Sequence, residues 1–258
     1  MNIHHQLREL INANAPYWAA EAEVVRTYWN SPLRSKETDR AWLLRQMYKE
    51  IWDGVYPCLK SIERGFDQLE KSISRDEMLD YTKVLQDEFI HYCRFAEIYA
   101  LLDEDNARSP GPEYIQRHGN WRENQALMAI RAQHRAQYGV LGTRAQMFTE
   151  GGYCTLYSEG MKLQGRGGVD DLIAAACSVV YEDEFEHMLM GIVGIDADTL
   201  PDQDWTLLTR LTVEQLQHRI LMRNAQFSFT VPEERLRVIH GGGCAPLAFD
   251  YARASGHA

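Results

Sequence analysis

Two short runs in this chain combine a carboxylate with an imidazole at helical spacing: Glu88-Phe89-Ile90-His91 and Glu184-Phe185-Glu186-His187. Residues three apart on a helix share a face, so each run turns one acid and one imidazole the same way. Glu88 falls in phase with Leu85, Tyr92, Phe95 and Tyr99. Glu184 and His187 share a face with Ile173, Cys177, Val180 and Met188. An ionised carboxylate on an apolar stripe is costly unless it is paired or holds a cation. One such pair alone would be read as a solvated or internally hydrogen-bonded couple. These are the only Glu-x-x-His motifs in the chain, and equivalent residues stand 96 apart, about the length of a duplicated helix pair. Together they read as two half-sites of a two-metal centre.

The elements that must position these residues are helices, because helical periodicity dominates and strand alternation is nearly absent. The pattern predicts a first helix over 6–29, broken at Ser31-Pro32, and a second over 38–64 with a kink at Pro57. Ser74-Arg75-Asp76-Glu77 is a capping box that starts a third helix running to Leu102. Residues 103–120 read as a polar loop, followed by one long helix over 121–164. A glycine-rich break at 165–168 precedes a helix over 170–193. Further helices are predicted over 205–227 and 233–239, with a loosely held tail from Gly241. The expected architecture is one all-α domain over 1–258, with a metal-binding bundle over 38–193 and extra helices at both ends.

Composition narrows the function. The 258-residue chain is 45% apolar and 25% charged, within the ordinary globular range. No stretch approaches the roughly 18 to 20 apolar residues of a membrane span, and the first residues carry no apolar signal core, so a cytoplasmic protein is expected. A net charge of −10 with no Lys/Arg run argues against nucleic-acid binding. The five cysteines form no Cys-x-x-Cys pair, which argues against a zinc ribbon or an attached rubredoxin-like iron centre.

With both motifs on helices, the sequence resembles the ferritin-like di-iron carboxylate superfamily. Its pattern is a single carboxylate on one helix and Glu-x-x-His on the next, then the same again. The resemblance spans about 38–193 and is specific at Glu88, His91, Glu184 and His187. It implies that two more carboxylates come from the helices preceding each motif. In an antiparallel helix pair, residues equally far from the turn lie level, which selects Glu150 opposite Glu184. Glu159 is the rival, since it is in phase with Leu141, Phe148, Leu156 and Leu163. For the earlier pair Glu50 is preferred because it lies as far before Gly65 as Glu150 lies before Gly165; Glu63 and Asp53 stay open, although the helical phase turns Asp53 away from the apolar stripe.

The resemblance implies two ferrous ions that activate dioxygen, with Glu88 and Glu184 as bridges, His91 and His187 as terminal ligands, and Glu50 and Glu150 completing the set. Manganese or a mixed manganese/iron pair also suits this donor set. The expected function is a di-iron oxidase or oxygenase acting on a small organic substrate, served by an external electron donor. Hydroxylation, N-oxygenation and oxidative cleavage are all open, and a homodimer is possible. The alternatives are a heme-oxygenase-like helical scaffold carrying the same ligands, and a non-catalytic iron-handling protein. His134, on an apolar face, is read as a core histidine rather than a further ligand.

Overall fold

Two serines start helices by the same device. The Ser74 hydroxyl accepts the Glu77 backbone N–H at 3.1 Å while the Glu77 carboxylate accepts the Ser74 N–H at 2.7 Å. Ser35 and Thr38 close a second capping box one hairpin earlier. The computed structural model describes residues 5–103, 109–190, 200–229 and 231–252. Among them the chain is all-α: α1 His5–Trp29, α2 Lys36–Tyr48, a π-helical segment Lys49–Val55, α3 Tyr56–Phe66 and α4 Arg75–Leu102. Then follow α5 Pro112–Gly119, α6 Arg122–Tyr138, α7 Val140–Thr149, a 3₁₀ turn Glu150–Gly152 and α8 Thr155–Met161. The last elements are α9 Val169–Met190, α10 Asp202–Gln226 and α11 Glu233–His240.

The expected kink at Pro57 takes a specific form. Proline has no N–H to give the carbonyl four residues back, and the chain responds by widening its turns just before it. The Tyr56 N–H bonds to the Ile51 carbonyl, five residues back. This π segment re-aims every side chain between Lys49 and Val55 relative to an unbroken α-helix, and such segments concentrate at functional sites.

The single long helix expected over 121–164 is not formed. Its apolar periodicity runs through a reversal: Gly139 takes φ +54° and α7 folds back along α6. Arg131 donates to the Thr149 carbonyl at 3.1 Å, and Arg135 reaches Gln146, so the two helices form an antiparallel hairpin. The rod breaks again after Glu150, where Gly152, Tyr153 and Cys154 take positive φ in succession. The stretch read as a loop over 103–120 contains α5, which packs on α2. The C-terminal tail is also better held than expected. Its Leu247 N–H bonds the Ala15 carbonyl, and Phe249 stacks on Trp18 and Tyr153. Residues 191–199, which include the expected end of the fifth predicted helix, lie outside the described residues.

α2, the π segment and α3 run back along α4, while α7 and α8 run back along α9, and α4 packs against α9. α1 and α10 lie against each other and cover α7 and α8. One apolar core joins these layers. Within it Trp29 meets both Trp42 and Phe227 edge to face, its ring centre 5.1 Å from that of Trp42. Each such aromatic pair adds about 0.5–1.5 kcal/mol beyond the area it buries. None of the described helices is long and apolar enough to cross a membrane.

Candidate metal centre

α4 contributes Glu88 and His91 from one face, and both are buried, His91 completely. α9 contributes Glu184, buried, and His187, half-buried, from the face turned toward α4. The π segment adds Glu50, also buried. The ligand atoms of Glu50, Glu88 and His91 all lie within 4.8 Å of one another, and so do those of Glu88, Glu184 and His187. Glu88 belongs to both trios. Its Oε2 stands 3.9 Å from His91 Nδ1 and its Oε1 stands 3.9 Å from His187 Nδ1. Atoms that share one ion at about 2.1 Å lie roughly 3 to 4 Å from one another, so both spacings suit ligation through an intervening cation.

Glu150 reaches the same place by another route. It sits half-buried in the 3₁₀ turn after α7 and lines, with Glu50, Glu88 and Glu184, a polar cavity of about 40 Å³. Its oxygens fall in neither trio. The rivals separate clearly. Glu159 is buried elsewhere, paired with Arg26 at 2.9 Å and Lys162 at 2.7 Å. Glu63 is exposed and paired with Lys60. Asp53 does line the cavity, contrary to the helical phase count, because the π segment turns it inward; Asn124 donates to it at 3.0 Å. His134 is a core histidine beside Gln215 and Glu214 and belongs to neither trio.

The surroundings fit a cation. His91 Nε2 donates to Asp183 at 2.9 Å, which leaves the lone pair on Nδ1, and buried Nδ1 has no hydrogen-bond partner. Glu184 Oε2 is likewise buried and unpartnered. The Glu50 carboxylate is held by the Gln46 amide at 2.5 Å and approached by the Tyr157 hydroxyl at 3.5 Å. Burial, followed by the charges of Glu184, Glu50 and Glu150, pushes the Glu88 carboxyl well above the usual carboxylate range. Burial raises Glu50 as well, and the Glu184 charge adds to it. Acids crowded this way repel one another unless positive charge enters among them. Gly54 completes the cradle. A Cβ there would lie 2.2 Å from Glu88 Oε2, so any larger residue would push that carboxylate out of its present position.

Asp183 was not anticipated from the sequence, although a signal existed. Each motif is preceded by an aspartate and has phenylalanine second, so the repeated unit is Asp-Glu-Phe-x-His, at Asp87–His91 and Asp183–His187. The aspartate of the second unit holds the histidine of the first.

Beyond the small cavity lies a larger one of about 480 Å³, sharing Asp53, Gly54, Glu88, Met128, Gln146 and Glu150 with it and reaching His187. The cluster therefore has an approach from outside. No protein-family model, no curated protein and no solved structure matches this chain.

Proposed function

We propose that this chain is a di-metal oxidoreductase of the ferritin-like carboxylate kind, holding two iron ions and using dioxygen to oxidise a small organic substrate. Manganese, alone or mixed with iron, is the alternative occupant. The observation that carries the reading is Glu88, whose two oxygens face two different histidine nitrogens and so suit a bridge between two ions. Glu50 and His91 would hold one ion, and Glu184 and His187 the other. Glu150, which lines both cavities, would be the remaining carboxylate. The paired rods, α2 to α3 along α4 and α7 to α8 along α9, support the ferritin-like arrangement.

When bound, the metal pair supplies the reducing electrons and Lewis acidity for dioxygen chemistry. The chain's own residues do the rest. Asp183 fixes the tautomer and ring orientation of His91. Gln46 and Tyr157 aim the Glu50 carboxylate. Gly54 sets the position of Glu88. The cavity of about 480 Å³ offers room for a substrate beside Glu88, Glu150 and His187, a feature an iron-storage role does not require.

Anaerobic titration with ferrous iron tests the reading. It expects about two irons per chain and oxygen uptake on exposure to air. Saturation below one iron per chain, or loaded protein inert toward oxygen, would reject it.

A further inference from the structure

The acids of the cavity are accompanied by two cations that do not bind them. Lys49, in the π segment, and Arg131, on α6, both line the 40 Å³ cavity. The Lys49 backbone N–H bonds to the Arg45 and Gln46 carbonyls, but its side chain makes no hydrogen bond or ion pair among the described residues. Arg131 is 5% exposed, gives one nitrogen to Thr149, and leaves its buried Nε without a partner. Neither cation comes within 4 Å of a described carboxylate. Arg219, on the same wall, is by contrast committed to Glu21 at 2.9 Å. A buried guanidinium with an idle donor is costly in isolation. Once two divalent ions balance Glu50, Glu88, Glu150 and Glu184, only Asp53 among the cavity's acids remains to offset Lys49 and Arg131.

The larger cavity repeats the sign. Its walls near Glu88 are apolar at Pro57, Cys58, Val84, Met128 and Met147, while its outer rim carries Lys60, Arg64 and Arg135. Lys60 is paired with Glu63 and Arg135 with Gln146; the side chain of Arg64 makes only a bond to the Lys60 carbonyl. A basic rim on a chain of net charge −10 favours the entry of anions.

We propose that the substrate is a small organic acid whose carboxylate is received by Arg131 and Lys49 while its apolar body lies between Met128, Met147, Val84 and Pro57. This rests on the di-metal reading, because without the ions the four carboxylates would repel such a ligand. Guanidinium and ammonium donors lining one cavity, from α6 and the π segment, suit a carboxylate, and the thioether and aliphatic wall suits a hydrocarbon chain. The acid would thereby be anchored by one end, with its body alongside Glu88, Glu150 and His187.

Octanoate, octanamide and octylamine serve as probes, titrated calorimetrically into anaerobic ferrous protein whose iron content is measured on the same sample. Octanoate should bind at least about tenfold more tightly than octanamide, the scale of one charge-assisted hydrogen bond, and octylamine least of all. Arg131→Gln should remove that preference without changing iron content or octanamide binding, and Arg131→Lys should restore part of it. Should Arg131→Gln fail to fold, Lys49→Met must show the same loss. Equal affinity for octanoate and octanamide overturns the proposal. So does octanoate binding that survives in both variants, since the carboxylate would then be bound by iron alone. Protein that takes up no iron overturns the di-metal reading and this proposal together; iron uptake without carboxylate preference overturns only the latter.

Discussion

Two groups of buried charge lie in this bundle, and they are built on opposite terms. Between α1 and α10, Glu21 accepts Arg219 Nε at 2.9 Å and Arg223 Nε at 2.8 Å, and all three side chains are nearly inaccessible. The two arginines hold the Glu21 carboxyl below its usual range despite its burial. Between α4, α9 and the π segment, by contrast, Glu50, Glu88 and Glu184 face one another, and the Glu88 carboxyl is driven upward. In the first group each cation has an acid partner within the chain. The second gathers acids of one sign, whose mutual repulsion a bound cation would relieve. They meet at Gln46, which donates to Glu50 and accepts from Arg223 and Gln226.

The largest effect should follow from breaking the first group. Glu21→Gln leaves Arg219 and Arg223 buried against a neutral amide and should cost about 3 kcal/mol or more of stability. Chemical denaturation of the metal-free variant measures this, and a loss under about 1 kcal/mol would show that the network contributes little. In the second group the corresponding effect should fall on metal rather than on folding. Asp183→Ala frees the His91 ring to turn and should weaken metal binding by about 10- to 100-fold. Because the Asp183 side chain is 31% exposed, the melting temperature of the metal-free form should hardly move. A large drop in melting temperature with unchanged metal affinity would reverse the assignment.

The two groups were also unequally legible in the sequence. Glu88, His91, Glu184 and His187 could be found because a Glu-x-x-His motif on a helix has a local spacing. Glu150 was reached by counting levels from the glycine turn, although the helix assumed in that count breaks on both sides of it. Glu150 lines the same cavity as Glu184, though its oxygens fall in neither trio, because α8 still runs back along α9. Asp53 was misplaced, since a phase count assumes α-helical turns and Pro57 substitutes π turns. The reversal at Gly139 escaped because an antiparallel helix pair shows the same apolar period as one long helix, and a single glycine is a weak stop signal. The Glu21 network had no local signature at all. Its partners are 198 and 202 residues away, and nothing near Glu21 distinguishes a buried acid from a solvated one.

The smallest effect gives the sharpest contrast, because the two groups should respond to pH with opposite sign. Glu88 in the folded, metal-free protein has a raised pKa, so above the ordinary value of 4.5 the folded state binds more protons than the unfolded state. Its contribution to stability is therefore full below pH 4.5 and declines as pH rises through the interval up to the folded value. Glu21 is shifted downward, so its contribution is present above 4.5 and is lost as pH falls through its folded value. Glu88→Gln keeps the shape and removes the charge. The variant should match the wild type near pH 4.5 and exceed it by on the order of 1 kcal/mol at neutral pH, with a flatter decline between. Thermal melts of both metal-free proteins across that range decide it. A variant that is less stable at neutral pH, or that keeps the wild-type slope, would mean that Glu88 is not under electrostatic pressure. The requirement for cations at this site would then lose its physical basis.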